Sequence, residues 1–281
     1  MPILQRALRL ERGLQRIQEQ HLGQEVDLRQ IVAGFTVAVQ RVYADANRIV
    51  IGYTVSGPAD IAFNNFSPID TVLTDQEGRE YPTHSGIGAG MEGDTGGYVL
   101  SFDAGVLSQA PERLQLRLVT DIMGLPSTPV AQGERPCAGP FTFNFSVRVI
   151  PGRVMDAPQT VEAEGTRITL KRAVVTPSET RLVLHVSPAP GADGGVKREW
   201  EPIAKLQVSD AAPDVQRLVP GVGHFGGMGR QQGEDYDYRI PYPLYDCRDE
   251  WTLTVSELVG FGRNGGQVRL SGPWVLRFTV P

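Results

Sequence analysis

The residues able to do chemistry lie in a few short stretches. Gly221–Gly226, GVGHFG, has the spacing of a dinucleotide-binding glycine fingerprint, in which amides at a helix start meet a pyrophosphate. That chemistry requires a strand before the glycines and a helix after them. Here Pro220 stands before the run, and a Gly-rich, then strand-like segment follows it, so the spacing reads as a turn-rich loop. A second run, GIGAGMEG (Gly86–Gly93), lies ahead of another strand-like stretch. Both read as flexible loops at one end of a domain, where ligands are commonly met. Gly86, Gly88, Gly90, Gly221, Gly223 and His224 are the candidate ligand contacts there.

The segment Glu234–Trp251, EDYDYRIPYPLYDCRDEW, gathers acids and aromatics. Tyr236, Tyr238 and Trp251 are candidate platforms for stacking a sugar ring. The neighbouring carboxylates could offer oxygens to calcium, but the regular acidic loop that calcium sites use is missing from the sequence. Alternation in YDYRI puts Tyr236, Tyr238 and Ile240 on one face and Asp237 and Arg239 on the other, the pattern of a half-buried strand. The histidines at 21, 84, 185 and 224 are scattered, and His185 is expected on the solvent side of a strand. Neither a zinc-protease helix nor a nucleophile elbow is present. The expectation is a protein without catalytic residues, cofactor or metal. Cys137 and Cys247 stand in unlike contexts and outside any C-x-x-C. They are either two thiols or one bridge closing a loop of about 110 residues.

Composition narrows the classes. Lys and Arg total 27 against 32 Asp and Glu, for a net charge of -5, which disfavours nucleic acid as a partner. With 32 Gly and 21 Pro, the chain suits short strands joined by tight turns. It contains neither an apolar run long enough to cross a membrane nor an N-terminal signal pattern.

Residues 2–22 carry Ile3, Leu4, Ala7, Leu8, Leu14 and Ile17 at helical spacing, with Arg6, Arg9, Arg12 and Arg16 alongside. This predicts an amphipathic helix or stalk over 1–29. It packs on its own domain or, as a basic helix, lies weakly on a membrane surface. From Val32 the period changes to two: Phe35, Val37 and Val39 alternate with polar or small residues, then Ile49, Ile51, Tyr53 and Val55 follow the turn ADAN. The pattern returns at Ile168–Val186 around the turn TPSE. Three further echoes follow: GIGAGMEG with GVGHFGGMG, LRLVTDIMG with LTVSELVG, and GPFTFNFSV with GPWVLRFTV. All are separated by roughly 130 residues, a domain-sized repeat. The sequence therefore predicts an all-β protein of two tandem Ig-like antiparallel β-sandwich domains, 30–150 and 153–281, after a short N-terminal helix. Ile150–Pro158 is the link.

The run Val26–Val55, VDLRQIVAGFTVAVQRVYADANRIVIGYTV, with GPFTFNFSV closing that copy, resembles the outer portion of a family of bacterial membrane proteins. That family is the four-one-seven-nine domain of unknown function, often described as anti-sigma-factor-like. The second copy resembles the Ig-like domain that frequently follows it. The resemblance implies an extracytoplasmic location, a membrane-crossing helix upstream of Met1, and no catalytic residues. The expected function is a sensory or interaction module of a membrane-anchored regulator, whose partner is a protein or cell-envelope ligand. The alternative is a carbohydrate- or cell-wall-binding surface module built on the 234–251 aromatics.

Overall fold

A computed structural model describes residues 3–59, 61–107, 111–127, 135–155, 157–188, 196–210, 230–232, 235–241, 244–262 and 266–281. The protein is all-β, mostly strand with few helices. It divides into two compact units, Met1–Pro151 and Gly152–Pro281.

In the first unit the apolar N-terminal stripe forms two short helices, α1 (Ile3–Leu8) and α2 (Arg12–Glu19), in place of one long one. The break falls at Arg9–Glu11, where Glu11 takes an extended backbone and places a carboxylate oxygen 2.7 Å from the buried Arg48 guanidinium. Ile3, Leu4, Ala7, Leu8, Leu14 and Ile17 are all buried. Most of them pack against Tyr43, Val50 and Val99 on the outer face of the sheet. Close approach is allowed by glycine: a Cβ on Gly97 would lie 2.9 Å from the Ile3 side chain. Residues 24–29, expected to be helix or stalk, belong instead to strand β1.

The strands of this unit are β1 (Gln24–Val32), β2 (Phe35–Asp45), β3 (Arg48–Ser56), β4 (Phe63–Asp75), β5 (Thr83–Glu92), β6 (Thr95–Asp103), β7 (Arg113–Pro126) and β8 (Cys137–Ile150). They make one eight-stranded sheet in the order β4-β7-β8-β2-β3-β6-β5, with β1 also on β2. The join between the two halves is a short parallel pairing, Ala44 with Val149 and Asp45 with Ile150, so the sheet comes close to a barrel. Phe141, Phe143, Phe145 and Val147 of β8 point inward, as their alternation requires.

The second unit contains β9 (Arg153–Val154), β10 (Gln159–Ala163), β11 (Thr166–Val175), β12 (Thr180–Pro188), β13 (Val196–Val208), β14 (Arg230–Gln232), β15 (Asp235–Ile240), β16 (Trp251–Gly262) and β17 (Gln267–Phe278). One sheet runs β10-β11-β12-β15-β14, with β9 on β11, and the other β13-β16-β17. The first sheet repeats the path β1-β2-β3-β6-β5, and the second repeats β4-β7-β8. Registers repeat as well: Ala44 faces Ile49, and Val175 faces Thr180, across turns of equal length. Each unit has a bulge in its penultimate strand beside a cis Gly-Pro, Gly139-Pro140 or Gly272-Pro273.

Two of the sequence echoes need correction. Leu118 faces Phe143 and Leu253 faces Leu276, so the LTVSELVG echo is displaced by two residues from its structural counterpart. Gly88 faces Tyr98 and Gln231 faces Tyr236, so the counterpart of Gly88 is Gln231 and not a residue of the second glycine run.

Candidate functional site

Gly86, Gly88 and Gly90 are not in a loop. They alternate along β5, the last strand of the sheet. At Gly88 the reason is crowding, because Tyr98, directly across the ladder, leans over it so that a Cβ there would meet its ring at 3.3 Å, whereas Gly90 takes a left-handed backbone with φ 77°. Glycine on an edge strand covered by a cross-strand aromatic is a known stabilising arrangement. The Tyr98 hydroxyl is fixed in turn, donating to the Asn65 side chain at 2.6 Å and accepting from the Phe66 amide at 2.8 Å. Gly221, Gly223 and His224 lie outside the described residues.

The aromatics of 234–251 do not form an exposed platform. Tyr238 and Trp251 are core side chains, 1% and 0% exposed. Trp251 packs on Phe278 with ring centroids 6.0 Å apart, and the Tyr238 hydroxyl donates to the Pro202 carbonyl. Tyr236 is half-buried, its ring 4.5 Å from that of Tyr238. Burial, then the Glu201 carboxylate, pushes its hydroxyl up to about 12. Neither Tyr238 nor Trp251 offers a ring to a sugar.

The polar side chains beside them hold strands together. Asp237 and Arg239, expected on an outward face, are buried. Arg181 of β12 grips Asp237 of β15 through two bonds of 2.8 and 2.6 Å. The ladders place Arg181 and Asp237 where the first unit has Val50 and Val99, the residues that α1 and α2 cover. On this face the first unit uses apolar contact where the second uses charge.

Next to this pair, Asp235 accepts from Lys171 Nζ at 2.8 Å and lies 2.8 Å from His185 Nδ1. Burial alone would raise the Asp235 carboxyl. Hydrogen bonds from Lys171 and His185, with their charges, outweigh it and hold the group below the usual carboxylate range. His185 is therefore half-buried and engaged rather than solvated. Among the described residues no group of His, Cys, Asp and Glu is arranged to hold a metal. Cys137 is exposed and Cys247 buried, both as thiols.

A site that the sequence reading missed is a cleft of about 450 Å³ in the first unit. Leu4 and Leu8 of α1 and Val26 of β1 supply its apolar lining, with Glu25, Asp27 and Arg41 at the polar positions. Arg41 Nη2 reaches Glu25 at 3.0 Å. The volume suits a small amphiphilic ligand. The signal was present in the alternation of Val26, Leu28 and Gln30 with Glu25, Asp27 and Arg29, which marks a strand beginning well before Val32.

Comparison with known proteins places the fold alone. No family model matches the chain, and no curated protein matches it. Among solved structures, a conserved domain protein from Bacillus anthracis is similar over 91% of this chain and 91% of its own, with a TM-score of 0.65 and 9% identity. A three-Ig fragment of titin is matched over 82% of this chain and 60% of the fragment, at 11% identity and a TM-score of only 0.17. At such identities the Bacillus likeness defines the class of protein, a two-unit all-β fold, and nothing of its activity.

Proposed function

We propose that this chain is a non-enzymatic, extracytoplasmic pair of Ig-like β-sandwich domains, the outer part of a membrane-anchored, anti-sigma-factor-like regulator, and that it acts by binding a protein or cell-envelope ligand. The observation that carries the reading is the repeated strand order of the two units. In the second unit, titratable side chains are engaged in holding strands, as in the Arg181–Asp237 and Lys171–Asp235–His185 groups. The resemblance of Val26–Val55 to that family supplies the cellular setting. The cleft beside α1 is the first place to seek a small ligand.

Exposed Cys137 provides the test, with buried Cys247 as an internal control. Intact cells producing the protein from its own gene are treated with a membrane-impermeant maleimide, and the modified cysteine is identified by mass spectrometry. Labelling of Cys137 before lysis is expected. Labelling only after the cytoplasmic membrane is opened overturns the extracytoplasmic reading.

A further inference from the structure

We infer that β5 is an association edge through which two copies of this chain pair antiparallel about a two-fold axis. The sheet path ends at β5, which is laddered to β6 on one side, and among the described residues no strand pairs with its other side. Backbone amides and carbonyls along such an edge are a template for another strand unless the sequence blocks it. Over Ser85–Met91, β5 contains neither a charged residue nor a proline.

β5 itself departs from regularity at Gly90, φ 77°, and at register breaks between Thr83 and Ser85 and between Gly88 and Met91, which leaves Ser85–Gly88 as its regular stretch. β4, at the opposite end of the path, carries Pro68, a left-handed Asp70 with φ 48°, and a register break between Ile69 and Val72.

These features select a second copy as the occupant. Head-to-tail pairing of β5 with β4 of another molecule meets Pro68 and the Asp70 kink, so propagation through β4 is blocked. Pairing of β5 with itself closes after two copies. It brings no like charges together, because Ser85–Met91 has none. The half-buried Ile87 and Ala89 beside the α1 cluster would gain cover from the same residues of the second copy. Regular register with β6 runs from Ser85 to Gly88 before a bulge, so the new ladder is short and the association weak, on the order of 10–100 μM.

Sedimentation velocity from micromolar to near-millimolar protein tests this. A concentration-dependent dimer is expected, with amide exchange over Ser85–Gly88 slowing as it forms. Gly86→Lys is expected to weaken the dimer at least about tenfold by placing a charge at the two-fold. Its Cβ would meet only Leu100 Cδ2, at 3.4 Å, so the fold accommodates the change. Val72→Lys, on the β4 edge, is expected to leave dimerisation unchanged. A chain that stays monomeric at every concentration overturns the inference. So does a dimer indifferent to Gly86→Lys, or one in which exchange slows elsewhere but not at Ser85–Gly88.

Discussion

Asp235 shows how a single carboxylate in this protein is committed to structure. Its hold on Lys171 and His185 lowers its folded pKa below the unfolded value, and that difference is stability. The contribution is complete above the unfolded pKa near 4 and disappears as pH falls through the folded value. Lys171 and Asp235 are partly exposed, so solvent screening reduces the effect to about 0.5–1 kcal/mol. Asp235→Asn is expected to lose that amount at pH 7 and to show a flatter stability profile below pH ~4. Urea denaturation across pH measures both. Little of this was legible in the sequence. Lys171, His185 and Asp235 are far apart in the chain, and only the ladders β11-β12-β15 bring them together. The burial of Asp237 and Arg239 was hidden for a similar reason. Alternation distinguishes the two faces of a strand but cannot say that both are covered.

At the level of elements, period-two alternation located most strands, and the inward row of β8 followed from spacing alone. The Gly86–Gly93 run was misread because glycine suggests a turn when its cross-strand neighbour is unknown. Tyr98 supplies the missing context. Gly88→Val is expected to destabilise the first unit by about 1–3 kcal/mol, since the new side chain must displace a ring whose hydroxyl is fixed by Asn65 and Phe66. Thermal melting against a Gly88→Ala control checks the size dependence. The N-terminal stripe identified the buried face of α1 and α2 correctly. The break between them was not legible, because it is set by Glu11 turning toward Arg48, a residue in a distant hairpin.

For the molecule as a whole, the duplication inferred from echoes is a repeat of topology, with register equivalence clearest at the hairpins β2-β3 and β11-β12. Each unit has its own apolar core, one around Phe141 and Tyr53 and the other around Trp251 and Trp274. Fragments 1–151 and 152–281 are accordingly expected to fold alone, each with a cooperative calorimetric transition. A fragment with no transition would show that its core is incomplete. On one strand plan, the second unit carries the Arg181–Asp237 charge pair where the first carries a helix-covered apolar face.

Arg153, in the first strand of the second unit, has a further consequence. Its guanidinium donates to the carbonyls of Tyr245, Cys247 and Val280, the last at 2.8 Å, so the entrance of the unit is fastened to its exit. Tension applied between Gly152 and Pro281 loads that fastening before it can peel β9 from β11. A pull on the ends of the second unit is therefore met by this guanidinium as well as by the strand ladders.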